Sequence, residues 1–384
     1  MPVRNPFRFG QIVAAEHFCD RADELGLMEG NVAGGQHVVL YSPRRMGKSS
    51  LMARLKDRLT AQGLVVSRVD FYALNSAVKI IQEVARACGR AVLEESGSIQ
   101  KFLERLATVF KRLRFKFTPG PNGSVSIEPE LVIPLEIRAN LTDALVSLDE
   151  FLMERGKRGV LIFDEFQEVS LVNENLEPEL RTVIQTLRHM AIAFLGSKAH
   201  IITRMFTDRG RPFYMAAKLV ELGPISPEYF VPFIKDRFVV GGLAISDELA
   251  GTICAICGGH PDYTQRLCSQ VFDKAIGKEG AITKELIDEA VHEMVRSCGN
   301  MYVSQWEGLP LRQQQVLAIL AEHGPQRRVS STLLAPYDMA VTSFHTALRE
   351  LVKRGEVIKD EDRLFQIADR FFARWIAGER EMWT

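Results

Sequence analysis

The feature that most constrains the fold is a short apolar run that is followed by Gly47-Lys48-Ser49 and then by an amphipathic segment. The apolar run, Val38 to Tyr41, has the length and composition of a buried strand, and from Leu51 onward apolar residues recur at the spacing of one helix face. A Gly-Lys-Ser sequence between a strand and a helix is typical of the end of a phosphate-binding loop, whose backbone N–H groups point at the phosphates. A strand–turn–helix corner with a chance tripeptide is the alternative interpretation.

The residue types of this loop indicate how a nucleotide would be held. Lys48 would reach the β- and γ-phosphates, and the Ser49 hydroxyl would coordinate Mg²⁺. Ser42 stands where the pattern has a glycine, and a strained backbone there would cost on the order of 1–3 kcal/mol for a residue with a side chain. The residues predicted to surround the phosphates are Pro43, Arg44, Arg45, Met46, Gly47, Lys48, Ser49 and Ser50.

A second motif has the form of a buried strand that ends in two acids. Val160 to Phe163 is an uninterrupted apolar run, and Asp164 and Glu165 follow it directly. Parallel strands buried on both faces have this composition, and functional carboxylates lie at their carboxyl ends. We therefore predict that Asp164 holds Mg²⁺, directly or through water, and that Glu165 orients and activates the attacking water. Acids placed at a strand end for solubility are the alternative.

Two further runs complete a predicted sheet, Leu64–Leu74 and Met190–Ser197. Strands that alternate with helices indicate an α/β fold with a doubly wound parallel sheet. If the strand that ends at Ser197 flanks the strand that ends in the two acids, this serine lies near the γ-phosphate; otherwise it is an ordinary cap. The predicted catalytic residues are thus Glu165, Lys48 and Ser197, and the predicted Mg²⁺ ligands are Ser49 and Asp164.

The composition argues against several classes of protein. The chain has 384 residues, 46% hydrophobic and 25% charged, which is an ordinary globular composition with room for two or three domains. Lys plus Arg and Asp plus Glu both number 48, so no overall charge attracts nucleic acid or a membrane. No apolar run reaches the roughly 20 residues that span a bilayer, and the first residues lack the apolar core of a secretion signal. From these two absences we expect a cytoplasmic location and no membrane contact. The six scattered cysteines do not form a disulfide framework, which agrees with a reducing compartment.

Together, these motifs resemble those of an AAA+ ATPase, and more narrowly those of the prokaryotic STAND-like P-loop ATPases often called archaeal-type ATPases. The stretches that carry the resemblance span nearly the whole chain: NPFRFG, FCDRADEL, SPRRMGKSSL, LIFDEFQ, FLGSKAH, GGHPDYTQRLC and DRFFARWI. The resemblance implies a P-loop NTPase core that binds ATP or ADP with Mg²⁺ and hydrolyses ATP. It makes Ser197 the sensor-1 residue that reports the γ-phosphate, and it places Asp20-Arg21 and Glu24-Leu25 at the entrance of the adenine pocket.

The resemblance also assigns a role to His260-Pro261. These residues match the Gly-His-Pro element of the family's helical lid, where the proline packs near the base and ribose. A plain junction between two helices, with Gly258 and Gly259 ending the first, is the alternative. The implied organisation is an ATPase core at 1–222 with a hairpin inserted at about 113–131, a helical lid at 223–300 and a winged helix-turn-helix at 301–384.

The sequence of the C-terminal module is consistent with more than one kind of partner. An amphipathic segment, a second helical segment and two short strands around an acidic turn suggest a winged helix-turn-helix, as the family also implies. The recognition-helix candidates for DNA are Ser343, His345, Arg349, Lys353 and Arg354. From Pro310 to Thr384, however, there are 11 Lys/Arg and 10 Asp/Glu, a net of +1, and Asp360, Glu361 and Asp362 sit in the wing. A nearly neutral module is a poor general DNA binder, so docking to an unidentified protein or autoinhibition is equally consistent.

Three other clusters have both a functional and a structural interpretation. The start of the inserted hairpin is basic, which suits either an acidic partner or a solvated surface: Lys111, Arg112, Arg114 and Lys116. A zinc set could be formed by Cys254, Cys257, His260 and Cys268, but Cys254 and Cys257 fall in a helical apolar pattern that favours core positions instead. An arginine finger supplied within a homo-oligomer would come from one of Arg204, Arg209, Arg211, Arg181 and Arg188, for which surface ion pairs are the alternative.

The sequence thus favours a Mg²⁺-dependent ATPase used as a conformational switch, in which ATP binds between core and lid and the nucleotide state passes to the C-terminal module. A nucleotide-gated DNA-binding regulator or DNA-processing accessory protein is the first alternative. A non-hydrolysing interaction scaffold is the second, although the retained Lys48, Ser49, Asp164 and Glu165 argue against it.

Overall fold

The computed structural model describes residues 4–13, 17–96, 109–111, 113–119, 125–131, 136–172, 175–276, 281–327, 329–359 and 363–379. The chain forms two compact units, one from Arg21 to Gly223 and the other combining Met1–Asp20 with Pro224–Thr384. Each unit has a hydrophobic core of its own.

The unit from Arg21 to Gly223 is built on a five-stranded parallel sheet of spatial order β2-β5-β6-β1-β7. The strands of this sheet are β1 (Val38–Tyr41), β2 (Val65–Asp70), β5 (Gly159–Asp164), β6 (Met190–Gly196) and β7 (Lys218–Glu221), and a separate hairpin consists of β3 (Leu113–Pro119) and β4 (Val125–Leu131). The helices are α1 (Ala22–Ala33), α2 (Lys48–Ala61), α3 (Ala77–Ser96), α4 (Ile137–Glu154), α5 (Val169–Val172), α6 (Leu176–Ile184) and α7 (Ala199–Thr207). The predicted α/β fold with a parallel sheet is confirmed.

The interior strands β5 and β6 hold the sheet in the core. Every residue of both strands is buried, as their uninterrupted apolar composition predicted. An aromatic cluster packs against them: the ring of Phe166 lies 4.6 Å from that of Phe194, which lies 5.0 Å from Phe206 and 5.4 Å from Phe213. Burial of one such phenylalanine contributes about 1.5–3 kcal/mol. Since Phe166 directly follows the two acids, this cluster anchors the turn that carries them.

The register of the sheet brings the predicted motifs to one edge. Tyr41 pairs with Gly196 across β1 and β6, and Asp70 pairs with Asp164 across β2 and β5. All these strands are parallel, so the residues that follow them emerge at the same edge, which is where ligands bind in open α/β sheets.

The hairpin of β3 and β4 has a charged but balanced outer face. In the antiparallel register Arg114 faces Glu130 and Lys116 faces Glu128, and the Lys116 ammonium also lies 3.5 Å from the Glu130 carboxylate. Opposite charges across a strand pair stabilise it modestly and offset one another. The hairpin therefore presents paired charges in its described part; Arg112 and residues 120–124 lie outside the described residues.

The second unit is mainly helical. Its helices are α8 (Pro227–Val240), α9 (Asp247–Cys257), α10 (Pro261–Ile276), α11 (Lys284–Ser297), α12 (Gly299–Glu307), α13 (Leu311–His323), α14 (Ser331–Leu334), α15 (Val341–Arg354) and α16 (Arg370–Arg374). The short strands β8 (Val357–Lys359) and β9 (Phe365–Ile367) pair antiparallel after α15, as expected for a wing, while the predicted acidic turn Asp360–Asp362 lies outside the described residues. None of the helices in the described part of the chain combines the length and apolar character needed to cross a bilayer.

Residues on both sides of position 300 share the core of this unit. The ring of Tyr302 stacks on Phe372 at 5.2 Å, and Tyr263 of α10 meets Phe371 of α16 edge-on at 5.2 Å. At the N-terminus, the Asn5 amide donates to the Ser269 carbonyl at 3.0 Å. The buried hydrophobic residues of the chain from Pro224 onward thus belong to one hydrophobic core.

A histidine at the start of β1 is held in its neutral form. The Ile192 backbone N–H donates to Nδ1 of His37 at 3.0 Å, and the Lys218 N–H donates to the His37 carbonyl. Burial, with a smaller contribution from the positive charge of Arg181, lowers the pKa of His37 to about 4. Because the unfolded histidine titrates near 6.5, the unfolded chain binds more protons than the folded chain between these values, and acid therefore destabilises the fold.

We expect the free energy of unfolding to fall by about 2 kcal/mol between pH 7 and pH 5 through His37 alone. The variant His37→Asn keeps an acceptor for the Ile192 N–H but cannot be protonated, so its stability should fall less over the same interval. Urea unfolding of both proteins at the two pH values measures the difference. An identical loss in both would contradict the assignment of a depressed pKa to His37.

Candidate functional site

Four predicted residues meet at the carboxyl edge of the sheet. The Ser197 hydroxyl, just after β6, donates to Oε2 of Glu165, just after β5, at 2.7 Å. The Lys48 ammonium at the start of α2 is close enough to Glu165 and Asp164 for both carboxylates to favour its charged form. The structure therefore assembles Lys48, Asp164, Glu165 and Ser197 from three neighbouring strands.

The loop before α2 has the backbone of an anion-binding turn. Gly47 has a φ of 91° and Arg45 a φ of 62°, both in the left-handed region, and α2 begins directly after Gly47. A glycine suits this angle because a side chain would be strained there. The first N–H groups of a helix have no partner within it and attract anions. The loop thus presents backbone donors at the edge where the acids lie.

The side chains of this loop divide into exposed and buried sets. Those exposed to solvent are Pro43, Arg44, Arg45 and Ser49, and those buried are Ser42, Met46 and Ser50. Met46 belongs to the protein interior, so any contact it makes with a phosphate would come from its backbone N–H. Ser42 is not among the described residues with positive φ, so the strain considered for a side chain at this position is absent.

Lys48 is held by the loop itself. Its ammonium donates to the Ser42 hydroxyl at 3.0 Å, to the Ser42 carbonyl at 3.3 Å and to the Pro43 carbonyl at 3.4 Å. Burial lowers the pKa of Lys48, while the nearby carboxylates oppose that shift. The ammonium is therefore fixed at the mouth of the loop rather than extended into solvent.

Asp164 is a buried carboxylate that pairs with an arginine. Its Oδ1 accepts from the Glu165 N–H at 2.9 Å, and its Oδ2 pairs with the guanidinium of Arg68 on β2. Burial raises the pKa of Asp164, and the charge of Arg68 acts in the opposite direction. Without such a cation, or a metal ion in its place, the buried charge would be costly.

Glu165 is held in an unusual backbone conformation. Its φ of 53° is in the left-handed region, which costs a residue with a side chain on the order of 1–3 kcal/mol and occurs often at functional sites. Its Oε2 accepts from both the Ser197 hydroxyl and the Gln167 amide, whereas no donor in the part of the chain that the structure describes bonds to Oε1. One carboxylate oxygen is thus fixed and the other is available to a ligand.

Two residues at the site were not predicted from the sequence. Arg68 pairs with Asp164 from a strand 96 positions earlier, and Gln167 is fully buried against Glu165. The available signals were a charged residue inside an apolar strand for Arg68 and a polar residue in the apolar turn after the acids for Gln167. Gln167 also packs against the neighbouring strand end, since a Cβ on Gly196 would lie 2.6 Å from its Oε1.

The residues predicted to contact adenine belong to both units, and each is described here by its own contacts. The Arg21 guanidinium is buried, pairs with Glu24 at 2.9 Å and donates to the Gly223 carbonyl. His260 and Pro261 belong to the second unit, where the His260 ring stacks on Tyr263 at 4.2 Å. Their contacts with a nucleotide stay a prediction.

The structure also shows the surroundings of the arginine-finger candidates and of the cysteine cluster. Arg211 pairs with the buried Glu177 at 2.6 Å and Arg204 of α7 pairs with Asp208 at 3.9 Å, whereas Arg209 is exposed. Cys254, Cys257 and Cys268 are buried in the core of the second unit, and burial raises the pKa of Cys257 to about 12. Such burial in an apolar core is typical of cysteines that act as small core residues.

The donor set at the edge fits Mg²⁺. Ser49 offers an exposed hydroxyl in the first turn of α2, and Asp164 offers a carboxylate at the end of β5. Hard oxygen donors of this kind, few in number and completed by phosphates and water, are what Mg²⁺ prefers. Arg68 already offsets the charge of Asp164 and would share this carboxylate with the metal ion.

Comparison with known proteins agrees with this architecture. Residues 32–204 match the family model of an AAA domain, and residues 300–378 match that of a probable winged helix domain. The solved structure of a Walker-type ATPase of Pyrococcus abyssi is similar at a TM-score of 0.64 and 18% sequence identity, over 97% of this chain and 99% of that one. The ORC2 protein of Aeropyrum pernix, solved as ADPNP and ADP complexes, is similar at a TM-score of 0.55 and 14% identity, over 98% of this chain and 100% of that one.

No curated protein sequence matches the chain. The structural likeness extends over nearly the whole chain and, at these identities, establishes the fold. The two matching family models confirm the expected pairing of a P-loop domain with a winged helix. The chain therefore has a P-loop fold with an AAA domain over residues 32–204 and a C-terminal winged helix domain over residues 300–378.

Proposed function

We propose that this protein is a Mg²⁺-dependent ATPase that acts as a STAND-like conformational switch. The observation that carries the proposal is the convergence of Lys48, Asp164, Glu165 and Ser197 at the edge where the phosphate-binding loop enters α2. An AAA domain spans the same residues. The residues to which we assign phosphate binding and water activation thus belong to one unit.

The residues of the site would have two roles in hydrolysis, phosphate binding and activation of the attacking water. Lys48 and the N–H groups of the loop would hold the β- and γ-phosphates, and the charge they supply would offset the charge that develops on the transferred group. Ser49 and Asp164 would hold Mg²⁺, whose chemical contribution would be to offset part of the negative charge of the phosphates. Positioning and electrostatics of this kind supply most of the catalysis in phosphoryl transfer.

Glu165 would accept the proton of the attacking water. Its Oε2 is fixed by Ser197 and Gln167, which leaves Oε1 as the oxygen that a water molecule would contact. The Ser197 hydroxyl donates a hydrogen bond to this carboxylate. If the same hydroxyl gained or lost a contact with the γ-phosphate, the position of Glu165 would therefore change. This contact gives Ser197 a physical means of reporting the nucleotide state.

Within the second unit, a conformational change caused by the nucleotide would be transmitted through the junction Gly258–Pro261. A Cβ on Gly258 would lie 2.2 Å from Nε of Arg370, so the last helix of the winged helix domain rests directly on this junction. The stacking of Tyr263 on His260 and its edge contact with Phe371 add a second connection. A change at His260 would therefore reach α16 without crossing a flexible linker.

The experiment that tests the proposal is ATP turnover by the purified full-length chain with and without Mg²⁺, compared with a variant that lacks the Lys48 ammonium. Release and identification of any nucleotide that copurifies shows whether ADP or ATP is held. Turnover that requires both Mg²⁺ and Lys48 supports the proposal, and equal turnover in the variant contradicts it.

A nucleotide-gated DNA-binding regulator is the second candidate. The observation that favours it is the exposed face of α15, where His345, Arg349, Lys353 and Arg354 all reach solvent, although Lys353 is partly neutralised by Glu350 at 2.6 Å. We expect weak binding to duplex DNA that declines steeply with salt, because phosphate contacts release counterions. Fluorescence anisotropy with a labelled duplex, at low salt and with ATP, ADP or neither, measures it. Absence of binding under all these conditions would eliminate this candidate and favour a protein partner.

A further inference from the structure

The first residue of the phosphate-binding loop has a side chain that reaches the loop lysine. Ser42 is fully buried, and its hydroxyl donates to the Pro43 carbonyl at 2.8 Å. With its proton engaged there, the hydroxyl oxygen faces Lys48 as an acceptor, at 3.0 Å from the ammonium. The hydroxyl is therefore oriented by one hydrogen bond so that it can receive another.

A count of donors shows why this contact matters. A lysine ammonium has three N–H donors and no acceptor. Three protein oxygens surround the ammonium of Lys48, namely the Ser42 hydroxyl, the Ser42 carbonyl and the Pro43 carbonyl. To bond a phosphate oxygen, the ammonium must redirect at least one donor away from these oxygens.

The hydroxyl contact is the shortest of the three and differs from the other two in origin. The carbonyl contacts, at 3.3 and 3.4 Å, use backbone atoms that any residue would supply, whereas the contact at 3.0 Å requires a side-chain hydroxyl at position 42. A glycine at this position would leave one donor of Lys48 without a protein acceptor and therefore available to a phosphate. The serine occupies this donor instead.

We propose that the Ser42 hydroxyl competes with the phosphates of the nucleotide for the Lys48 ammonium and thereby sets a low nucleotide affinity. The inference rests on the proposed function of the loop. Ser42 is a positioning residue here, since it acts on the nucleotide through Lys48. A loosely held nucleotide suits a switch, because the protein can then exchange it without a separate release factor.

The expected effect of removing the hydroxyl is tighter binding. In Ser42→Ala the Cβ stays and only the hydroxyl is lost, whereas Ser42→Gly also restores the residue that the loop pattern has at this position. A hydrogen bond from a charged ammonium is stronger than one between neutral groups. The net gain is nevertheless limited, because the wild-type protein also forms the bond from Lys48 to phosphate once it has given up the bond to Ser42. We expect both variants to bind ATP and ADP roughly 3- to 10-fold more tightly than the wild type.

Two measurements test this, and one of them requires no nucleotide. The first is the rate at which an acetylating reagent modifies Lys48 relative to the exposed Lys56 of the same molecule, measured by peptide mass spectrometry. The second is the dissociation constant of fluorescent ATP and ADP analogues with Mg²⁺. Ser67→Ala is the matched control, since Ser67 is a buried serine of β2 whose hydroxyl donates to the Ala87 carbonyl at 2.9 Å, outside this loop.

Faster acetylation of Lys48 and tighter nucleotide binding in both Ser42 variants, with neither change in the control, is the expected result. Unchanged acetylation would overturn the hydroxyl contact, and faster acetylation with unchanged or weaker binding would overturn the competition. If the wild type and both variants all fail to bind nucleotide, the result contradicts both the proposed ATPase function and the proposed competition for Lys48. Binding detected in the Ser42 variants alone would support the competition, because it places the wild-type affinity below detection.

Discussion

Replacement of Lys48 with alanine is expected to weaken ATP binding on the order of 100-fold and to abolish measurable turnover. The ammonium lies among the loop carbonyls and near two carboxylates, in surroundings where burial already disfavours its charge. A phosphate with several negative charges would repay that cost, and charge-assisted bonds to two phosphates amount to about 3 kcal/mol. Alanine removes these bonds and leaves the loop backbone as the main phosphate ligand.

The dissociation constants of ATP and ADP for the two proteins measure this effect, and circular dichroism checks that the variant is folded. Lys56→Ala is the matched control, because Lys56 lies on the same helix and is exposed to solvent. It should bind both nucleotides as the wild type does. Undiminished ATP binding by Lys48→Ala would mean that this loop does not hold the phosphates.

Much of the unit from Arg21 to Gly223 could be predicted because the sequence signals that specify it are local. A strand of four apolar residues before Gly47-Lys48-Ser49, and another before Asp164-Glu165, each specify a strand, a turn and a chemical role within about a dozen residues. The strong burial of β5 and β6 and the parallel pairing of their ends follow from these compositions. The nearness of Ser197 to Glu165 was stated as a condition on strand order, and the observed order meets that condition.

The contacts that complete the site could not be predicted, since they depend on which strands and turns lie side by side. Arg68 reaches Asp164 only because β2 pairs with β5, and an arginine in a strand pattern reads as a surface residue until that pairing is known. The contact between Ser42 and Lys48 is equally hidden, because it depends on loop geometry rather than on residue type. From the sequence, Ser42 was considered as a source of strain; in the structure its backbone is relaxed and its side chain is the feature of interest.

Replacement of Glu165 with glutamine is expected to lower ATP turnover by 100-fold or more while leaving ATP affinity within a few-fold of the wild-type value. General-base catalysis contributes roughly 10²- to 10⁴-fold, and an amide cannot take the proton of water. Glutamine can still place a carbonyl oxygen where Oε2 accepts from Ser197 and Gln167, so the geometry of the turn should survive. The substitution therefore separates proton transfer from phosphate binding, which Lys48→Ala does not.

Single-turnover hydrolysis and equilibrium ATP binding on the same preparations distinguish these two steps. Glu154→Gln on α4 is the matched control, because it makes the same chemical change at an exposed position outside the site and should hydrolyse ATP normally. If Glu165→Gln bound and hydrolysed ATP as the wild type does, another group would have to activate the water. Retained binding with lost turnover would instead place the proton acceptor on this carboxylate. Its Oε1 accepts no hydrogen bond from the residues that the structure describes, and its backbone is left-handed, which sets it apart from Asp164 beside it.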